Sequence, residues 1–208
     1  MEPLILHTEA LDKDLLQLLE QLMISDELKN FYLVGGTALA LQLGHRKSND
    51  IDLFYHDHFD SSFIADFLKD TFEISSLEVS KNLVRCYINK IKIDILSHRY
   101  SLVDSIITSE NIRFASLKDI AAMKLNAITN RGMKKYFWDI GTLLSIFSLK
   151  EMLMFYKVKY PTSSLWQVEK SLCWFDDADN ELTEIIDLKG NHWQTIKQNI
   201  LSETKKII

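Results

Sequence analysis

Apolar residues near the start of the chain recur with a helical period. Leu11, Leu15, Leu16, Leu18, Leu19, Leu22 and Met23 predict a helix over about Glu9–Asn30, with Asp12 and Asp14 in its opening turn. The pattern then shifts to short apolar runs. Phe31–Val34 predicts a strand and Gly36–Leu43 a short helix, followed by a polar loop, His45–Asn49. Asp50–His56 alternates as a strand does, with Ile51 and Leu53 on one face and Asp50, Asp52 and Phe54 on the other. Ser61–Phe72 reads as a helix. Glu73–Ser80, Leu83–Asn89 and Ile91–Ser97 read as strands, the last two joined by a tight turn at Asn89-Lys90. A further short strand is predicted around Asn111–Phe114.

Beyond that point the periodicity is helical almost throughout. Ser116-Leu-Lys-Asp119 has the form of a capping box. Helices are predicted over Leu117–Asn130, Lys134–Phe147, Leu149–Lys159, Ser164–Phe175 and His192–Thr204, interrupted by Pro161 and an acidic turn at Asp176–Asn180. The expected organisation is an α/β domain over residues 1–115 and a helical domain over 116–208, without internal repeats.

Composition narrows the functional classes. With 208 residues the chain is long enough for a sizeable core, and 25% charged residues with only two prolines is ordinary globular usage. A net charge of −5 argues against non-specific coating of nucleic acid. Cys86 and Cys173 are expected to be buried thiols in a reducing compartment. The first residues lack the basic start and apolar core of a signal peptide, and no apolar stretch approaches 18 residues. A soluble, cytoplasmic protein is expected, with no membrane partner.

Asp-x-Asp occurs three times. Asp12-Lys-Asp14 opens a helix, where acidic residues suit the dipole, and Asp177-Ala-Asp179 lies in a polar turn. Asp50-Ile-Asp52 differs because it sits in an apolar strand, where Asp is disfavoured. Two carboxylates so close repel by about 3 kcal/mol at an effective dielectric near 20, which a divalent cation would relieve. Asp94, in the apolar run Lys92-Ile-Asp-Ile-Leu96, is a third candidate; three such carboxylates can hold two Mg²⁺ ions for in-line attack on phosphorus. Gly35-Gly36-Thr37 reads either as a tight strand-to-helix turn or as a phosphate cradle at a helix N-terminus. His45-Arg-Lys-Ser48 reads as a solvated basic loop or as a source of phosphate contacts from Arg46 and Ser48. His56-Asp57-His58 is read as a polar strand exit rather than a zinc site. Lys124, beside an apolar stripe, reads as a snorkelling flank residue, and Asp139 as an ion-pair partner of Lys135 or Arg131. The aromatics of Trp166–Trp174 are read as core rather than as part of an antitoxin contact surface, and Lys118, Lys124, Arg131, Lys134 and Lys135 as one basic helical face for RNA.

Gly35-Gly-Thr-Ala-Leu39 followed by His45-Arg-x-Ser-x-Asp-Ile-Asp-Leu-Phe54 resembles the AbiEii/MenT group of the nucleotidyltransferase superfamily. Asp119-Ile-Ala-Ala-Met-Lys124 and Arg131-Gly-x-x-Lys135-x-x-x-Asp139 are similar to that group's helical motifs. The likeness covers about residues 31–160. It implies a polymerase-β-like core with a mixed sheet and a helical C-terminal domain. By position it implies triphosphate contacts from Gly35, Gly36 and Thr37, metal binding by Asp50, Asp52 and Asp94, and Asp94 as base. Lys124 would neutralise phosphate charge, with Asp139 positioning it. The chain departs from the group at Tyr136, where an acidic residue is common, and from the wider superfamily in Gly35-Gly36, where Gly-Ser is usual.

The expected activity is Mg²⁺-dependent transfer of a nucleotide from an NTP to an RNA hydroxyl, tRNA being the acceptor in studied relatives, or to a protein hydroxyl. The expected role is the toxin of a toxin–antitoxin or phage-defence pair, with a cognate antitoxin as partner. The alternative is an inactive nucleotide- or partner-binding module with the same fold.

Overall fold

The computed structural model describes residues 4–207. Residues 1–3 and 208, the ends of the two expected domains, lie outside the described residues. The chain divides into two compact units. The first holds the described residues through Ser101 together with Ile106–Ala115; the second holds Leu102–Ser105 and the described residues from Ser116 onward.

The first unit is built on α1 (Lys13–Ile24), β1 (Tyr32–Leu33), α2 (Gly35–Leu43), β2 (Asp50–Tyr55), α3 (Ser61–Thr71), β3 (Ile74–Ser80), β4 (Leu83–Ile88), β5 (Ile91–Ser97), β6 (Ile107–Ser109) and β7 (Ile112–Phe114). α1 is shorter than its apolar period suggests, because Ser25 is extended and the chain re-enters a single 3₁₀ turn at Asp26–Leu28. The strands form one mixed sheet of order β3-β4-β5-β2-β1-β7-β6. β2 runs parallel to β5 and β1 parallel to β7, while the remaining pairs are antiparallel. The β4–β5 turn falls at Asn89-Lys90, as the sequence predicts, with φ of 51° and 66°. β6 escapes the sequence reading because it is three residues long and mostly exposed. It is paired to β7 through a second turn of the same kind, Glu110-Asn111, with φ of 49° and 66°.

The second unit comprises α4 (Leu117–Asn130), α5 (Lys134–Leu143), α6 (Leu149–Lys159), α7 (Leu165–Leu172), α8 (Asp176–Asp179) and α9 (Trp193–Lys205). Ser116 caps α4 by accepting from the Asp119 N–H, and Ser148 opens α6 with a complete capping box. α4 packs most extensively on α6. α9 reaches α5 closely because residue 141 is glycine; a Cβ there would lie 2.8 Å from Ile196 Cδ1. None of the helices among the described residues is long and apolar enough to cross a membrane.

The two cysteines behave differently from the expectation. Cys86 is buried on β4, but Cys173 is exposed just past the end of α7. Burial, with a smaller contribution from the Asp94 charge, pushes the Cys86 thiol up to about 11. A thiol-reactive reagent at pH 8 is therefore expected to titrate Cys173 alone in the native protein, and Cys86 only after denaturation. Rapid reaction of both native thiols would contradict this burial.

Candidate active site

The glycine turn, the loop after α2 and the strand β2 are locked together in the first unit. Gly35 has φ of +74°, a left-handed conformation, and opens α2 directly from β1. Val34, which precedes the helix, has no polar side chain and caps none of its opening amides. The Asp52 carboxylate lies against this turn: a Cβ on Gly35 would stand 3.3 Å from Asp52 Cγ and closer still to its Oδ2. The Asp52 carbonyl accepts from Val34 N at 2.9 Å, tying the two segments at backbone level.

Thr37 and Ser48 brace the start of β2. Thr37 Oγ1 donates to the Asp50 carbonyl, and Ser48 Oγ lies 2.9 Å from Thr37 Oγ1, so Ser48 is the donor of that second bond. The Thr37 proton is thus used inside the protein in this arrangement. Arg46 is buried, donates to the Lys47 carbonyl at 2.9 Å, and lies so near Gly36 that a Cβ there would be 2.5 Å from Arg46 Nη2. The solvated-loop reading of residues 45–48 is overturned: His45 and Arg46 are both buried.

These contacts make the two glycines unequal. Gly35→Ala is expected to cost about 1–3 kcal/mol of left-handed strain, a fall in melting temperature of about 2–12 °C, and to displace Asp52. Gly36→Ala meets the end of the Arg46 side chain and, at 3.3 Å, Ser48 Oγ, side-chain atoms rather than backbone, so it is expected to melt within about 2 °C of wild type. Thermal melts of both variants check this; equal melting temperatures would contradict it.

Asp50 and Asp52 share one face of β2, and both are half-buried. Asp94 is the register partner of Asp52 on the adjacent parallel strand β5. The row continues across the sheet, since Arg85 of β4 pairs with Asp94 and Glu78 of β3 pairs with Arg85. Arg85 Nε donates to Asp94 Oδ1 at 2.6 Å and Nη2 to Oδ2 at 3.4 Å; Lys92 Nζ donates to Oδ2 at 2.6 Å. Burial raises the Asp94 pKa, but hydrogen bonds from Arg85 and Lys92 and their charges outweigh it, so the carboxyl sits below its usual range. Sequence reading missed Arg85, although the signal was the one that singled out Asp94: a charge inside an apolar, alternating strand.

Among the described residues no group of three or more His, Cys, Asp or Glu side chains is arranged to hold a metal ion. Asp50 and Asp52 suit a hard divalent cation as oxygen donors on one strand face. Asp94 is committed to two cationic side chains and would have to turn from them to join as a ligand.

Lys124 and Asp139 form a pair of their own in the second unit, Nζ to Oδ2 2.6 Å, with both side chains buried. Lys124 is therefore no snorkelling flank residue. Its Nζ lies 5.3 Å from the centroid of the Tyr136 ring, which also has Lys135 Nζ at 5.9 Å and Arg131 Cζ at 6.0 Å. Where the resemblance leads one to expect a carboxylate, a π face meets three cations. The single basic face does not form as expected: Lys118 pairs with Asp104 at 2.8 Å, Lys124 is buried, and Lys134 donates to the Glu181 carbonyl at 2.9 Å. Trp166 and Trp174 are not core, being 67% and 56% exposed.

Residues 17–93 match the family described as Nucleotidyl transferase AbiEii toxin, Type IV TA system. An uncharacterized protein of Aquifex aeolicus is 32% identical over 204 residues, spanning 95% of this chain and 98% of that protein. Among solved structures, JHP933 from Helicobacter pylori aligns with a TM-score of 0.55 at 16% identity, covering 95% of this chain and 93% of that one. MenT4, a nucleotidyltransferase toxin from Mycobacterium tuberculosis, aligns with a TM-score of 0.57 at 11% identity, covering 91% and 80%. At these identities the likeness to solved structures is one of fold.

Proposed function

The chain belongs to the AbiEii nucleotidyl transferase toxin family, and from that premise we propose that it moves a nucleoside monophosphate from an NTP to an RNA hydroxyl as the toxin of a toxin–antitoxin pair. The observation that carries this reading is the seating of the Asp52 carboxylate against Gly35 at the N-terminus of α2, on the same strand face as Asp50. One short stretch of chain thereby presents backbone donors for phosphate next to paired acceptors for a cation.

The acceptor oxygen bonds to the α-phosphorus, the bond to the bridging oxygen of the β-phosphate breaks, pyrophosphate leaves with that electron pair, and the hydroxyl proton passes to a base. In this reading the opening amides of α2 hold the departing phosphates, with Arg46 beneath Gly36 adding positive charge. Thr37 and Ser48 hold the start of β2 rather than phosphate, since Thr37 spends its proton on the Asp50 carbonyl. Asp50 and Asp52 would hold Mg²⁺, which when bound supplies Lewis-acid stabilisation of phosphoryl oxygens. Asp94 serves as base or third ligand only after release from Arg85 and Lys92, and those two cations otherwise keep it anionic and fixed. The Lys124–Asp139 pair, which the resemblance would place in the same reaction, is buried and paired within the helical unit.

The test is incubation of the purified protein with Mg²⁺, each α-labelled NTP in turn and total bacterial RNA. Label on RNA of tRNA size, lost in Asp52→Ala, supports the reading and names the nucleotide. Label on protein moves the acceptor to a protein hydroxyl. No label with NTP still bound favours an inactive binding module, and growth arrest on expression separates a toxin from a tRNA-maintenance enzyme.

A further inference from the structure

The helical unit contains an open pocket of about 670 Å³ between the C-terminal end of α4, the turn after it, and α7. Its walls include Arg131, Gly132, Trp166, Lys170, Trp174 and Asp177. Trp166 and Lys170 are spaced i and i+4 on α7, about 6 Å apart along the axis, and Trp174 follows two residues past the helix end, where its backbone N–H donates to the Ser171 carbonyl. The opposite face of α7 carries Val168 and Leu172, both buried. The helix therefore keeps its aliphatic side for the core and leaves Trp166 exposed, with Trp174 exposed just beyond it.

Leaving two tryptophans largely in water is unfavourable for a ring that buries 150–250 Å² when packed. Here both line the same concavity with a cation between them. Lys170 Nζ stands 5.4 Å from the Trp166 centroid, so the ring face and the ammonium meet the same volume. Arg131 supplies a second cation from the other wall. The single lining carboxylate, Asp177, lies against the backbone of Gly132, where a Cβ would be 3.3 Å from Asp177 Oδ2. Asn130, Gln167 and Ser171 also line the pocket and offer amide and hydroxyl groups. A protein hot spot would surround its aromatics with neighbours that exclude water. Exposed indoles, a cation over one of them and hydrogen-bonding groups in the same pocket match an unpaired nucleobase attached to a phosphate.

We propose that this pocket binds unpaired nucleotides of a single-stranded RNA, with Trp166 and Trp174 as stacking faces and Arg131 and Lys170 as phosphate contacts. The proposal rests on RNA being the acceptor and gives it a docking site in the helical unit, separate in sequence from the glycine turn and Asp50-Ile-Asp52.

The test is fluorescence anisotropy of a labelled short single-stranded RNA titrated with the full chain. Trp166→Ala, Trp174→Ala, Trp166→Phe and Lys170→Glu are compared with wild type, and thermal melts certify that each variant is folded. Each alanine variant is expected to raise Kd about 5- to 100-fold, the phenylalanine variant to recover most of the loss, and Lys170→Glu to weaken binding and flatten its salt dependence. Unchanged Kd in both folded alanine variants overturns the pocket, and leaves the transferase reading standing if label still reaches RNA. Unlabelled RNA with the wild-type protein removes RNA as the acceptor, and the anisotropy series then still decides the pocket. Binding of AMP as tight as that of the strand, with the same dependence on the two tryptophans, would assign the pocket to a mononucleotide and overturn the strand proposal.

Discussion

Replacing Asp52 by alanine is expected to lower nucleotidyl transfer by at least about a thousandfold while the melting temperature stays level or rises. Asp52 is held where three features meet: the positive-φ turn at Gly35, the strand partner Asp94, and the same-face neighbour Asp50. Removing a carboxylate that anchors a catalytic cation takes away charge stabilisation needed chiefly in the transition state, and losses of 10²–10³ follow even from a single lost oxyanion donor. The same carboxylate meets like charge from Asp50 on its own strand face, which the positive end of α2 beside it offsets only in part, so its removal is not expected to cost stability. Opposite signs for activity and stability are the signature to look for. Single-turnover transfer from labelled NTP, measured beside a thermal melt, reads both. A variant within tenfold of wild-type activity would remove Asp52 from the site; lost activity with a collapsed melt would make it a structural residue.

How much of this was legible in the sequence depended on the range of the interactions concerned. The strand–turn–helix–strand from β1 to β2 could be read because its determinants are local: apolar alternation around Asp50 and Asp52, and a glycine where the backbone must adopt positive φ. The Asn89-Lys90 turn was readable for the same reason. What failed was whatever a distant partner decides. The loop at His45-Arg46 looks solvated by composition, yet Arg46 is buried beneath a glycine ten residues earlier. Lys124 looks like a flank residue until Asp139, on the next helix, is seen to neutralise it. Trp166 and Trp174 carry every local mark of core, and only packing reveals that α7 buries Val168 and Leu172 instead. Asp94 was found by its unusual setting, whereas its cations Arg85 and Lys92 needed the β4–β5 register.

Asp119 shows the same divide and carries the largest expected effect on stability. By sequence it is the third residue of a capping box; its amide does donate to Ser116 Oγ at 3.0 Å. Its carboxylate does far more. Oδ1 accepts from Val103 N at 2.9 Å and Lys159 Nζ at 2.8 Å, and Oδ2 from Asp104 N at 3.0 Å and Ser116 Oγ at 2.7 Å. Asp119 and Lys159 are both essentially without solvent contact. One buried carboxylate thus joins α4, the end of α6 and the segment Leu102–Ser105, which explains why those four residues belong to the helical unit. Asp119→Ala would take its carboxylate from a buried ammonium and the acceptor from two amides, so a loss of about 3–5 kcal/mol is expected. At this chain length that corresponds to a melting temperature lower by about 6–20 °C. Replacing both charges by apolar groups of similar size, Asp119→Leu with Lys159→Met, also removes the buried ammonium and is expected to recover part of the loss, though the amides of Val103 and Asp104 still lose their acceptor. Hydrogen exchange at those two amides separates the mechanisms. Protection lost there in both variants, with melting partly restored in the double one, is the expected outcome. A single variant that melts within 1 °C of wild type would mean that water or a neighbour replaces the carboxylate at little cost, and the clamp would then contribute little to holding the helical unit together.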